Sequence, residues 1–367
     1  MIIFFILLVL LCFWKIKFSK FHDNYMGKDP TTSIKGIFAI IVLFSHMRGY
    51  VALSDSFLDQ SYNQVLNFIG QLMVAIFFFY SGYGIIKSYT SKPDYSKNFF
   101  RCRLLKTLTH FDIAVLFYLL LSLATTVVFG WTRPWEDYVF AWVGWTSLGN
   151  SNWFIFTTLA LYLITIPSFF LAEKINKRKE LLITIFVTIL SVALWIVLAI
   201  FKESWWYDTL FCYVFGMWFA LIADKINQLF KEKPIVHYSA IAVSLVSFAA
   251  TYYAYRTLFS HPALYSVCSC LFCITLVLVT SVVKINNPIL LWLGKYSFSI
   301  YILQRLPMMV MTYLPFNLPS YLFAVLAIVG ILVLAFIFGF IYKKIDNWFF
   351  KPKQYLPRRL EENKQLT

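Results

Sequence analysis

Apolar residues gather in blocks close to the roughly 20-residue length that crosses a bilayer as a helix. The blocks fall at about 34–53, 67–87, 108–129, 153–172, 181–201, 207–223, 236–256, 263–283, 288–312 and 320–342, and predict ten transmembrane helices. A further run from Met1 to Trp14 is short, but lengthens if Lys15 and Lys17 snorkel to the interface. It lacks the basic leader and the small-residue cleavage site of a signal peptide, so it reads as a retained eleventh helix.

Polar positions between the blocks test this list, because Lys and Arg accumulate in alternate loops when the spans are right. Lys15, Lys17, Lys20, Lys28 and Lys35 precede or open the first block, whereas the next loop, Ser54 to Asn63, holds Asp55 and Asp59 and no basic residue. The alternation continues through Lys87–Lys106, Lys174–Lys179, Lys225–Lys233, the pair Lys284 and Lys295, and the tail after Tyr342. The intervening loops carry Arg133, Lys202 or Arg256 alone, or no basic residue in Leu314–Ser320. The pattern places the C-terminus in the cytoplasm and, with eleven spans, the N-terminus outside.

Composition agrees. Hydrophobic residues make up 60% of the 367 positions and charged residues 13%, a balance no soluble domain of this size tolerates. The expectation is an all-α polytopic protein of the cell membrane: an N-terminal helix within 1–20, one membrane domain over 34–342 and a cytoplasmic basic tail over 343–367. The net charge of +15 is largely topology signal, with a share for anionic headgroups, and calls for no nucleic acid. Cys268, Cys270 and Cys273 stand close in sequence, but thiols are ordinary small packing residues in such helices; no metal site and no disulfide framework is expected.

One polar residue stands out inside the first block. His46 follows Lys35 by eleven residues, about 1100° of helix, so the two share a face with a rise of roughly 16 Å between them. With Lys35 at one interface, His46 lies past the bilayer midplane, where an ionisable group is costly and is kept for a task. The plainer alternative is a neutral imidazole bonded to a neighbouring helix. A second signal is the basic segment Arg101-Cys102-Arg103-Leu104-Leu105-Lys106, which serves as a positive-inside anchor or as a phosphate-binding cluster. A cytosolic ligand with phosphates there and a long thin arm would bring its far end to His46. That geometry suits transfer of a group to an acceptor outside, with the imidazole as general base. Ser81, Tyr83, Ser151, Asn152, Trp153, Gln304 and Arg305 are candidates to orient the acceptor, and each also fits a helix-packing role.

Taken together these residues resemble the membrane-bound acyltransferase-3 family, over about Lys35 to Tyr342. Lys35 and His46, with Gly36, match its opening basic–ten–His block. Phe77-Phe78-Phe79-Tyr80-Ser81-Gly82-Tyr83 matches an aromatic run ending in Ser-Gly-aromatic, and Arg103-Leu104-Leu105-Lys106 an Arg-x-x-Arg-like element. Asn152-Trp153-Phe154 with Tyr162 is similar to the Trp-Phe-x-Leu segment, and Leu293 to Gln304 to the late Gly-x-x-Ser-x-x-x-Tyr-Leu block. The resemblance implies transfer of an acyl group, usually acetyl, from cytosolic acyl-CoA across the membrane to a hydroxyl of a cell-surface glycan. Acyl-CoA is then a donor substrate, with no permanently bound cofactor. Carried over by position, His46 is the catalytic base, and Lys35, Arg101, Arg103 and Lys106 bind or align the donor; Ser81, Asn152 and Trp153 are the expected substrate contacts from their polar and aromatic side chains. Lys35 and Lys106 replace arginines, which keeps charge but loses the bidentate fork. Gln304 stands where many members have a second histidine, and the Met1–Trp14 helix is additional to the ten-helix core. The main alternative is a transporter or flippase of lipid-linked glycans; against it, no paired Gly- or Pro-broken helices occur in matching positions. A structural subunit without catalysis is the third.

Overall fold

The computed structural model describes residues 2–351, so Lys353, Arg358 and Arg359 of the basic tail lie outside the described residues. Among the described residues the regular elements are helices apart from one ladder of two three-residue strands. In order the chain forms α1 (Ile2–Phe13), β1 (Ile16–Phe18), α2 (Lys28–Met47), α3 (Phe57–Ile69), α4 (Leu72–Ser91) and α5 (Tyr95–Phe99). A π-helical stretch, Phe100–Leu105, leads without a break into α6 (Lys106–Phe129), followed by α7 (Trp135–Phe140), α8 (Trp153–Ile175), α9 (Lys179–Phe201) and α10 (Phe211–Glu232). Then come α11 (Pro234–Thr257), α12 (Pro262–Thr280), β2 (Val283–Ile285), α13 (Pro288–Lys295), α14 (Ser297–Leu303), α15 (Arg305–Thr312) and α16 (Ser320–Phe349).

Among the described residues, nine helical segments are long and apolar enough to cross a membrane. The expected span at 288–312 differs: it is three short helices, α13, α14 and α15, rather than one. Pro307 accounts for the second break, since it offers no N–H and its ring collides with the carbonyl four residues back, at Leu303. The 12-residue α1 is only about 18 Å long, short of a bilayer core on its own. At its end, β1 pairs antiparallel with β2, Ile16 opposite Ile285. Asn287 joins the two regions. Its Nδ2 donates to the Leu11 carbonyl at 2.7 Å while its Oδ1 accepts from the backbone N–H groups of Ile289 and Leu290, capping α13.

α13 so placed lies hard against α2, and glycine permits it. A Cβ on Gly36 would stand 2.2 Å from the Leu290 carbonyl oxygen, and one on Gly294 would stand 1.8 Å from that of Thr32. Small residues let backbones approach where lipid gives no hydrophobic drive for helix association. The contact brings Lys35 of α2 and Lys295 of α13 to the same cavity. Large aromatic side chains, among them Phe78, Phe79, Tyr118 and Tyr213, fill the core between the helices. Exposed aliphatic faces, such as Val243 and Val246 on α11, are left for the bilayer.

Candidate active site

A cavity of about 630 Å³ is enclosed by α2, α4, the π-helical stretch, α6, α8, α13, α14 and α16. That volume suits a ligand the size of a large cofactor. Five cationic side chains line it, Lys35, Arg103, Lys106, Lys295 and Lys343, against one carboxylate, Asp346. From this basic end the cavity follows α4 from Gly84 to Val74 and α8 from Tyr162 to Phe154, about 12–15 Å along each axis. Ser81 lies on the way, its Oγ 3.0 Å from the Tyr162 hydroxyl. At the far end Phe154 packs against Phe78 and Tyr301, ring centroids 4.7 and 5.2 Å away, and forms an aromatic wall.

The expected donor residues divide at the π-helical stretch. Arg101 and Arg103 are two positions apart and so point to nearly opposite sides of a helix. Arg103 lines the cavity; Arg101 turns away and donates to the Phe349 carbonyl at the end of α16. Cys102 reaches the Phe350 carbonyl beside it, so two consecutive side chains fasten the end of α16 to this stretch. Arg101 therefore does not join the cavity as its neighbour does. α16 in turn projects Asp346 into the basic end, where its carboxylate meets Lys106 Nζ at 2.6 Å and His110 Nε2 at 2.9 Å. His110 stacks on Tyr342 at 4.1 Å, and the Tyr342 hydroxyl donates to the His110 carbonyl. Sequence reasoning missed His110, Tyr342 and Asp346. The available signal was the four-residue spacing of Lys106 and His110 on one helix and of Tyr342 and Asp346 on another, each placing two polar groups on one face.

His46 is half-buried three turns along α2 from Lys35 and is not among the residues lining the cavity. Its Nε2 lies 3.2 Å from the Oγ of Ser151, a buried side chain just ahead of α8. The loop that delivers Ser151 is held tightly. Ser147 Oγ donates to the Asn150 carbonyl, Asn150 Oδ1 accepts from the Leu148 N–H, and Asn152 Nδ2 donates to the Gly144 carbonyl at 2.8 Å. Lys202 clamps the loop from outside it: the ammonium sits 3.8 Å from the Trp145 ring and 4.3 Å from the Trp206 ring, and donates to the Trp145 carbonyl. Burial pulls the Lys202 pKa below its ordinary value, with Glu203 opposing.

The expected substrate contacts are placed as follows. Ser81 lines the cavity, whereas Asn152 and Trp153 do not; the Asn152 amide is spent on the loop, and Trp153 lies against Phe154. Tyr83 does not line it either. Gln304 is fully buried, its Nε2 donating to the Tyr301 carbonyl. Arg305 donates to the Tyr50 hydroxyl at 3.0 Å, within electrostatic reach of His46. Cys212 and Cys270 bring their sulfurs to 3.9 Å as free thiols between α10 and α12. The structure thus assembles Lys35, Arg103, Lys106 and Ser81 around one cavity and pairs His46 with Ser151 outside the residues that line it.

A family model described as an acyltransferase domain matches residues 32–341, nearly the whole membrane region. No curated protein and no solved structure matches the chain.

Proposed function

The chain belongs to the membrane-bound acyltransferase-3 family, and from that premise we propose that it moves an acetyl group from cytosolic acetyl-CoA across the membrane to a hydroxyl of a cell-surface glycan. The observation that carries this reading is the alignment along α2 of a five-cation cavity mouth at Lys35 with an imidazole three turns further on at His46. The family supplies the acyl-transfer chemistry, and the positive-inside pattern sets the basic end in the cytoplasm and the Ser151 end outside.

In this reading the phosphates of the donor lie among Lys35, Arg103, Lys106, Lys295 and Lys343, held by charge-assisted hydrogen bonds. The slender pantetheine arm follows the cavity past Ser81 and Thr158 to Phe154 and Tyr301. Its thioester passes the aromatic end of the cavity toward His46, and the rings there keep bulk water from the acyl group. His46 serves as the base for the transfer: the thioester C–S bond breaks, the proton taken up by the imidazole passes to the CoA sulfur, CoA leaves on the cytosolic side, and the acyl group ends on the acceptor oxygen. Such a base contributes on the order of 10²–10⁴ in rate.

Proteoliposomes with the basic end outward test it. Radiolabelled acetyl-CoA added outside should transfer label to a glycan acceptor enclosed within, and Arg103→Ala should lower the transfer by weakening donor binding. Label that stays with CoA across a panel of envelope glycans, each presented in the lumen, would contradict the reading.

A further inference from the structure

Ser151 and His46 form the only close contact between a hydroxyl and the imidazole placed here as the base, 3.2 Å from Oγ to Nε2 among the described residues. A hydroxyl at this distance from an imidazole nitrogen is the arrangement that turns serine into a nucleophile, because the ring accepts the proton as the oxygen attacks. Three further observations fit a reacting atom at Ser151 Oγ. The side chain is buried, its relative exposure 4%, so it is sheltered from hydrolysis. It precedes Phe154 of the cavity wall by three residues, and so stands near the end of the cavity that this ring closes. It also stands just ahead of the first turn of the 23-residue α8, whose N–H groups receive no side-chain cap from Asn152. Uncapped N–H groups at a helix start are donors for an oxyanion developing beside them.

We infer that Ser151 is a covalent way-station: it accepts the acyl group from the donor and passes it to the glycan, with His46 moving the proton in both steps. The inference rests on the acyl-transfer reading. In the first step His46 takes the Ser151 hydroxyl proton, Oγ bonds to the thioester carbonyl carbon, the C–S bond breaks, and the imidazolium returns its proton to the departing CoA thiolate. The products are an O-acyl serine and free CoA. In the second step His46 takes a proton from the acceptor hydroxyl, the acceptor oxygen bonds to the acyl carbon, the Oγ–acyl bond breaks, and Ser151 recovers its proton. No other reactant enters. The two steps divide the crossing: donor and acceptor need never occupy the site together, and the loop held by Lys202 keeps Oγ at the imidazole throughout.

Purified protein in nanodiscs, incubated with radiolabelled acetyl-CoA and no acceptor, provides the test. Expected is acid-stable, hydroxylamine-sensitive label on the peptide carrying Ser151, absent in Ser151→Ala and in His46→Gln although both still bind CoA. Ser151→Cys keeps the size and a nucleophile, so its label should reappear as a thioester, cleaved by neutral hydroxylamine. Label that persists in Ser151→Ala or maps to His46 would overturn the inference. So would wild-type protein that transfers acyl groups without becoming labelled, or Ser151→Ala protein that transfers at the wild-type rate. Wild-type protein that neither labels nor transfers would remove the acyl-transfer reading as well, which distinguishes the two failures.

Discussion

Lys106 and Asp346, 240 positions apart in the chain, meet at 2.6 Å across the mouth of the basic cavity. The pair sets the roles of the rim cations apart. Lys106 already shares its charge with a carboxylate, Arg101 is turned to the end of α16, and Arg103 faces the cavity with no carboxylate on it among the described residues. Arg103→Ala should therefore weaken CoA binding most, by about 10- to 100-fold if a charge-assisted phosphate contact is lost. Arg101→Ala and Lys174→Ala, both away from the cavity, should stay within about twofold of wild type. Titration calorimetry on purified protein checks this, and equal effects of Arg103→Ala and Lys174→Ala would return the cluster to a purely topological role.

The close approach of α2 and α13 should be intolerant of any side chain. Gly36→Ala and Gly294→Ala each place a Cβ in contact with a backbone carbonyl, 2.2 and 1.8 Å away, and neither backbone can yield without moving a helix that carries a rim lysine. A cost of about 1–3 kcal/mol or more follows from such overpacking. Thermal unfolding in detergent should show both variants destabilised, with weaker CoA binding as Lys35 and Lys295 separate. Gly84→Ala, which meets nothing within 4 Å, is the control for thermal stability alone, since Gly84 lines the cavity.

Orientation is testable by impermeant thiol labelling. Cysteines introduced at Asp59 and Leu318 should react in intact cells, and those at Lys92 and Lys231 only after permeabilisation, if the basic loops follow the positive-inside rule. Labelling at position 59 that requires permeabilisation would invert the arrangement, and with it the side from which the donor enters.

Most of the helix list was legible as apolar runs, and its errors have local causes. α2 begins at Lys28 rather than near 34 because its polar first turns satisfy themselves: Pro30 fits a helix start, and the hydroxyls of Thr31 and Thr32 donate to the carbonyls of Gly27 and Lys28. The break before Arg305 was hidden because Pro307 sits in an otherwise apolar run. The β1–β2 ladder, three residues a side, is too short to show alternation. At the site, Lys35, His46, Ser81, Arg103 and Lys106 could be singled out because each is a polar group in or beside an apolar segment. Their pairings could not. Ser151 is 105 residues from His46, and Asp346 is 236 from His110, so the contacts arise only from helix packing. That Arg101 turns to α16 was hidden for a different reason, since charge alone does not reveal which side of the helix it occupies.

That His46 does chemistry is the central claim, and His46→Gln tests it most directly. Glutamine preserves much of the size and hydrogen bonding that a structural imidazole would need, and can still meet Ser151, but it takes up no proton near neutral pH. Acyl transfer by the purified variant should fall by about 10²–10⁴, to background, while CoA binding and thermal stability stay at the wild-type level. Transfer at a near-normal rate in the His46→Gln protein would contradict the claim.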